Sequence, residues 1–120
     1  MPTILSTTAY WKLAEGTRDD LAHGLFTIDD GVSRVLAPAY ANARFRFDPG
    51  CMTPADSRAR RVVDFFVDAL ASATEFEWSE PNQVLVINNR TVLHARADAQ
   101  ADPDRQMQRL MFRFEKGTTL

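Results

Sequence analysis

The stretch Asn88-Asn89-Arg90-Thr91-Val92-Leu93-His94-Ala95-Arg96 follows directly on the apolar run Val84-Leu85-Val86-Ile87. An imidazole in that setting can hold a divalent metal through a ring nitrogen, or it can sit hydrogen-bonded in a core. Alternation along the strand places Val92, His94 and Arg96 on one face and Thr91, Leu93 and Ala95 on the other. Further on, the segment 105–114 (RQMQRLMFRF) puts Arg105, Met107, Arg109, Met111 and Arg113 on a single face. An arginine between two methionines on a strand is expected to be partly buried, and a buried guanidinium is costly without an anionic partner. No Asp or Glu shares that face. The partner is then an acid on another element (Asp64, Glu75 or Glu77) or a bound carboxylate, which a guanidinium grips through two parallel hydrogen bonds.

Two other side chains invite the same question. His23 is followed by Gly24 and Leu25, with no acid two positions on. It falls at a predicted helix end, where a histidine favours the helix dipole. Cys51 lies beside a Pro-Gly turn with no neighbouring His or Lys, so it reads as a small half-buried side chain and not as a reactive thiol.

These residues must be positioned by a small scaffold. A chain of 120 residues is long enough for one core and too short for two. Hydrophobic content of 45% and charged content of 25% are those of a soluble globular protein. The net charge of −2 offers no cationic surface for nucleic acid. No apolar run approaches the roughly 20 residues of a membrane span, and the start MPTILSTTAYWK has no signal-peptide pattern. A lone cysteine cannot form an internal disulfide, which fits a reducing cytoplasm.

The elements read as follows. TILSTT (3–8) is a short strand. Thr17 and Asp20 stand at capping-box spacing and Gly24 ends the segment, so 18–23 is a short helix. LFTI (25–28) and VSRVL (32–36) are two strands about the turn DDG, and ANARFRFD alternates until DPG closes it. Thr53 before Pro54 starts the main helix, which buries Ala59, Val62, Val63, Phe66, Ala69, Leu70 and Ala73 and wets Arg60, Asp64 and Asp68. TEFEW (74–78), QVLVI (83–87), TVLHAR (91–96) and 105–114 are strands, with QVLVI buried on both faces.

In this order the residues become familiar. NQVLVINNRTVLHAR followed by RQMQRLMFR resembles the C-terminal signature of the taurine dioxygenase / clavaminate synthase-like family of Fe(II)- and 2-oxoglutarate-dependent dioxygenases. That family carries a DNR turn, an LHGR-like strand and an arginine strand. Here Asn88 stands for the usual Asp and Ala95 for the usual Gly. Arg109 lies 15 residues after His94, about the family spacing. The resemblance implies that His94 matches the distal iron-ligand histidine and that Arg109 matches the arginine that pairs with the far carboxylate of 2-oxoglutarate. It also implies that Arg105 stands where many members have another arginine. PTILST resembles the stretch that holds a threonine touching 2-oxoglutarate, with Thr3 as the candidate. The implied fold is mainly β with one main helix (α+β), a partial double-stranded β-helix (jelly roll) of the clavaminate synthase-like type. Residues 1–120 would form a single domain resembling the C-terminal half of such an enzyme.

One departure matters. The family's other iron ligands form a His-x-Asp or His-x-Glu pair that precedes the point where this sequence begins, and His23 does not supply it. One imidazole does not hold Fe(II) against water. The expectation is therefore a C-terminal subunit or fragment of a dioxygenase that is inactive alone. Fe(II) and 2-oxoglutarate would bind only if a partner chain completes the site; the expected partners are a second copy, which would cover the open edges of the half-built sandwich, or a second chain supplying the N-terminal half. The alternatives are a catalytically dead remnant that binds a small carboxylate or a protein, and an unrelated β domain in which His94 is a core histidine. The first reading places His94 and Arg109 on neighbouring antiparallel strands, facing one interior.

Overall fold

The computed structural model describes residues 2–96 and 109–111. Among these residues, eight short strands and two helices make a mixed α+β arrangement. In order they are β1 (Thr3–Thr7), a 3-10 turn (Tyr10–Lys12), α1 (Glu15–His23), β2 (Phe26–Asp29), β3 (Arg34–Ala37), β4 (Tyr40–Ala41), β5 (Arg44–Phe45), β6 (Met52–Pro54), α2 (Ser57–Ala71), β7 (Thr74–Phe76) and β8 (Val92–Arg96). They form two antiparallel three-stranded sheets, β7-β1-β8 and β3-β2-β6, and the hairpin β4-β5. Among the described residues the sheets do not close into a barrel. No described helix is long and apolar enough to cross a membrane.

The core lies where α1 and α2 pack on β2 and the hairpin. It holds Leu21, Phe26, Ile28, Phe45, Met52, Ala59, Val62 and Phe66, with Phe47 stacked on Phe66 at 4.4 Å. The two helices approach closely at Gly24. A Cβ there would lie 2.6 Å from the Asp20 carbonyl oxygen and 2.7 Å from the Ala59 nitrogen. Its φ of −64° is ordinary, so the glycine is required by the approach and not by a left-handed cap. Asp20 and Arg61 clamp the same pair of helices through two hydrogen bonds of 2.7 and 2.8 Å.

Several boundaries differ from the sequence reading. Helix α1 begins at Glu15 with Ala14 as its cap, so Thr17 is already inside the helix and makes no capping box. Thr53 and Pro54 belong to strand β6, whose partner is β2. Asp56 then caps α2 by accepting the Ala59 N–H at 2.8 Å, and its other oxygen accepts the Leu25 N–H. Leu70 was expected to be buried but is 58% exposed, because the last turn of α2 runs past the core. The stretch ANARFRFD is broken by Asn42 and Ala43, both left-handed (φ 55° and 58°), which turn β4 back onto β5.

The largest correction concerns 83–87. It is not a strand: burial alternates, with Leu85 and Ile87 half-buried while Val84 and Val86 face solvent. No described strand pairs with it, so its outer face is uncovered. The strand expected over 105–114 falls mostly outside the described residues. The described part, Arg109 to Met111, has no strand pairing.

Candidate functional site

His94 is placed by pairing and by a turn. Strand β8 lies antiparallel to β1, with His94 opposite Leu5 and Arg96 opposite Thr3. The turn before it is built by Asn88, whose carbonyl accepts the Thr91 and Val92 N–H groups while its side-chain oxygen accepts the Arg90 N–H. This is the local chemistry that Asn favours in turns. The hairpin joins from the other side, where the Phe45 N–H donates to the Arg90 carbonyl at 3.3 Å. Between β5 and β8 lies a cleft of about 300 Å³ whose lining includes Arg44, Arg46, Phe47, Asn89, Val92 and His94.

The Arg109 Nη2 stands 3.3 Å from His94 Nε2. A guanidinium has only donors, so Nε2 accepts and the ring is neutral. The remaining nitrogen, Nδ1, is then left to donate to the Val92 backbone, a bond that favours the charged ring. Two stronger influences oppose it. Burial pushes the His94 ring below the usual histidine value, and the Arg109 cation pushes in the same direction. A neutral imidazole with its Nδ1 proton anchored to backbone is the form that offers Nε2 to a partner.

Thr3 lies on the same face of the sheet as His94, one diagonal step away across β1 and β8. It is 5% exposed, and its hydroxyl accepts the Trp78 indole N–H at 2.8 Å. It does not line the cleft. Arg105 lies outside the described residues. His23 is exposed at the end of α1 and does not line the cleft. Cys51 is half-buried, and burial with the nearby Asp48 raises its thiol, as suits an inert side chain.

Arg109 was expected to be partly buried, on a strand beside β8 and facing one interior with His94; only the meeting with His94 is found, and the exposure of Arg109 counts against the dioxygenase-derived reading of the site. The side chain meets His94, but it is exposed and not partly buried between methionines. Its neighbours Leu110 and Met111 are likewise 85% and 71% exposed, with no described strand laid over them. Asp64, Glu75 and Glu77 are not its partners, since the ion pairs among the described residues are Arg34–Asp29 and Arg61–Asp20. Arg44, Arg46 and Asn89 were not singled out from sequence. The signal available was the alternation of arginine with phenylalanine over 44–47. What makes it a cleft wall is the long-range bond from Phe45 to Arg90, which the alternation does not reveal.

A family model, taurine catabolism dioxygenase TauD, TfdA family, matches residues 6–111. The chain belongs to this family. The match runs from β1 through α2 and β8 to Met111, so it takes in His94 and Arg109 together. No curated protein and no solved structure matches significantly.

Membership in the TauD/TfdA family raises the question of iron. Among the described residues no three His, Cys, Asp or Glu side chains converge in a way that could hold a metal. Non-haem Fe(II) oxygenases use two histidines and a carboxylate. Here the available donor is one imidazole, and a cation at its Nε2 would meet the Arg109 guanidinium. The described residues do not by themselves fit an iron ion.

Proposed function

We propose that this chain is the C-terminal part of an Fe(II)- and 2-oxoglutarate-dependent dioxygenase, an oxidoreductase of the hydroxylating type, in the form of a subunit or a fragment. The remaining iron ligands would come from residues outside this sequence, such as those of a different chain that carries a His-x-Asp pair. The observation that carries the reading is the family match over residues 6–111, which contains both His94 and Arg109 at a separation of 15 residues. In this reading His94 contributes one metal donor, and Arg109 grips the distal carboxylate of the keto acid. Arg105 adds positive charge, and Thr3 offers a hydroxyl hydrogen to the same molecule. Family membership supports the cofactor pair, Fe(II) and 2-oxoglutarate.

A second reading draws on the contact between Arg109 and His94. Arg109 faces the metal-binding nitrogen of His94, which also suits a remnant that binds a small carboxylate and no metal. Calorimetric titration with 2-oxoglutarate, of the chain alone for the remnant reading and with Fe(II) and a chain that carries a His-x-Asp pair for the dioxygenase reading, tests what the two share. The expected result is saturable binding that weakens at least about tenfold in Arg109→Gln, the loss of a charge-assisted pair. Binding unchanged in that variant would overturn both. Turnover separates them. The chain alone, given Fe(II) and 2-oxoglutarate, is expected to form no succinate above the protein-free control. Addition of a chain that carries a His-x-Asp pair is expected to start succinate formation if the dioxygenase reading holds.

A further inference from the structure

Helix α2 presents two stripes to its surroundings. Ala59, Val62 and Phe66 enter the core. Phe65, Asp68, Ala69 and Ser72 recur at i, i+3, i+4 and i+7, so they share a second face of the helix. That face lines one side of a hollow of about 430 Å³, and the end of β1 with the 3-10 turn lines the other, through residues that include Ser6, Thr8, Lys12 and Leu13. The hollow shares no lining residue with the cleft beside His94. Ser6 pairs with Leu93, so alternation puts it on the face of the sheet away from His94. The walls are held from behind. The Thr8 N–H donates to the Thr91 carbonyl at 2.9 Å and the Leu13 N–H to the Tyr10 carbonyl at 3.1 Å. The Arg18 guanidinium donates to the Leu13 carbonyl at 2.7 Å, and Phe65 meets Phe66 edge to face at 5.2 Å.

Three polar groups of this hollow are unmatched among the described residues. Lys12 and Asp68 both line it, yet they form no ion pair there with each other or with a third group. Thr8 is only 8% exposed, and its hydroxyl makes no hydrogen bond there. No fully buried side-chain oxygen among these residues lacks a partner, so the Thr8 hydroxyl keeps access to the surface that Thr8 lines, the hollow. A nearly buried hydroxyl without a bond is a cost that a ligand's polar atom removes. Ser72 differs, because its hydroxyl is already given to the Ala69 carbonyl. The two charges then select what enters. Lys12 and Asp68 cancel, so a plain anion gains at one and loses at the other, and a plain cation does the reverse. A molecule that carries both signs gains at both. Leu13, Phe65 and Ala69 add half-buried apolar surface in the same hollow, the usual lining of a small-molecule site.

We propose that the hollow between β1 and α2 binds a free α-amino acid with an apolar side chain. Its carboxylate lies at Lys12 and the Thr8 hydroxyl, its ammonium at Asp68, and its side chain on Leu13, Phe65 and Ala69. The assignment goes beyond the dioxygenase reading and needs neither iron, nor a keto acid, nor His94 or Arg109. The bound molecule joins β1 to α2, so it also stabilises the folded chain.

The test uses the full chain with leucine, glycine, N-acetyl-leucine and leucinamide as probes, read by calorimetry and by NMR shifts of the Thr8 and Ala69 amides. Leucine is expected to bind saturably, move both amides and raise the unfolding temperature. Glycine, which lacks the apolar side chain, is expected to bind at least about tenfold more weakly. N-acetyl-leucine has no ammonium and leucinamide no carboxylate, and each is expected to be at least about tenfold weaker. Lys12→Gln and Asp68→Asn are each expected to weaken leucine about tenfold to a hundredfold, by loss of a charged hydrogen bond. Thr8→Val is expected to cost about threefold to tenfold, and Thr8→Ser, which keeps the hydroxyl, to recover most of that loss. Lys12 and Asp68 are exposed, so their variants keep the core, and unchanged circular dichroism verifies this. His94→Ala is expected to leave leucine binding within about twofold, as for distant sites, which separates this hollow from the cleft. The proposal is overturned if leucine does not saturate, if any of the three analogues binds as tightly as leucine, or if either charge variant stays within about twofold of the parent. It is also overturned if His94→Ala costs leucine as much as the charge variants do.

Discussion

A guanidinium 3.3 Å from an imidazole nitrogen is tolerable only while the imidazole is neutral. That makes the His94 ring a reporter of the contact. Burial is the larger cause of its lowered pKa and Arg109 the second. Arg109→Gln is therefore expected to raise the His94 pKa but leave it below the ordinary histidine value. An NMR titration of the ring protons reads this directly, and a ring that does not respond means that the two side chains are apart in solution. The sign for stability follows. The unfolded chain takes up the proton first, at about pH 6.5, so the contribution tied to neutral His94 is complete above that pH. It shrinks as pH falls through the folded value. His94 and Arg109 could be picked out of the sequence because each stands in a strongly patterned segment at a recognisable separation. The exposure of Arg109 could not, because two flanking methionines report a preference for burial and not the presence of a layer to bury them.

At the scale of elements the informative residues are those that local rules misread. Gly24 looks like a helix stop, and it is one, but the position forbids a side chain because two backbones meet there. Gly24→Ala is expected to destabilise by about 1–3 kcal/mol, the range for forcing atoms into a packed contact. Thermal unfolding should fall by several degrees. A cap role alone would predict a small change, since alanine adopts a φ of −64° freely. Ala43 is the opposite case. It holds a left-handed conformation that costs an L-residue roughly 1–2 kcal/mol, in a two-residue hairpin turn where Asn-Gly is the favoured pair. Ala43→Gly is expected to stabilise by about 0.5 kcal/mol once the extra freedom of glycine in the unfolded chain is subtracted. Denaturant unfolding measures it, and a loss of stability would mean that the turn is not left-handed in solution. Strands β1, β2, β3 and β8 were legible to within two residues, since alternation and the turns DDG and Asn88-Asn89 bound them. The start of α2 was not. Pro54 is as acceptable in a short strand at a sheet edge as in a first helical turn, and Asp56 decides between them through a bond that spacing only permits.

The same limit governs the whole molecule. QVLVI reads as a strand covered on both faces, and one of its faces is open. Val84 is 83% and Val86 58% exposed, and Leu110 and Met111 add further apolar surface near His94. Among the described residues the two sheets leave β7, β8, β3 and β6 with one unpaired edge each. A closed jelly roll has some eight strands and no such edges, whereas open strand edges and apolar patches invite another chain. The chain is therefore expected to associate with itself or to require a second chain. Sedimentation velocity of the full chain at micromolar concentration should show mass above that of a monomer, increasing with concentration. The double substitution Val84→Lys/Val86→Lys puts two charges on the open face without touching Leu85 or Ile87. It should shift the population toward monomer while leaving the unfolding temperature of that monomer nearly unchanged, because both side chains already face solvent. A monodisperse, cooperatively unfolding monomer of the parent chain would mean that it has satisfied its own edges. The incomplete barrel would then carry no argument for a partner, and the metal ligands missing from this sequence would have to be sought within the same polypeptide.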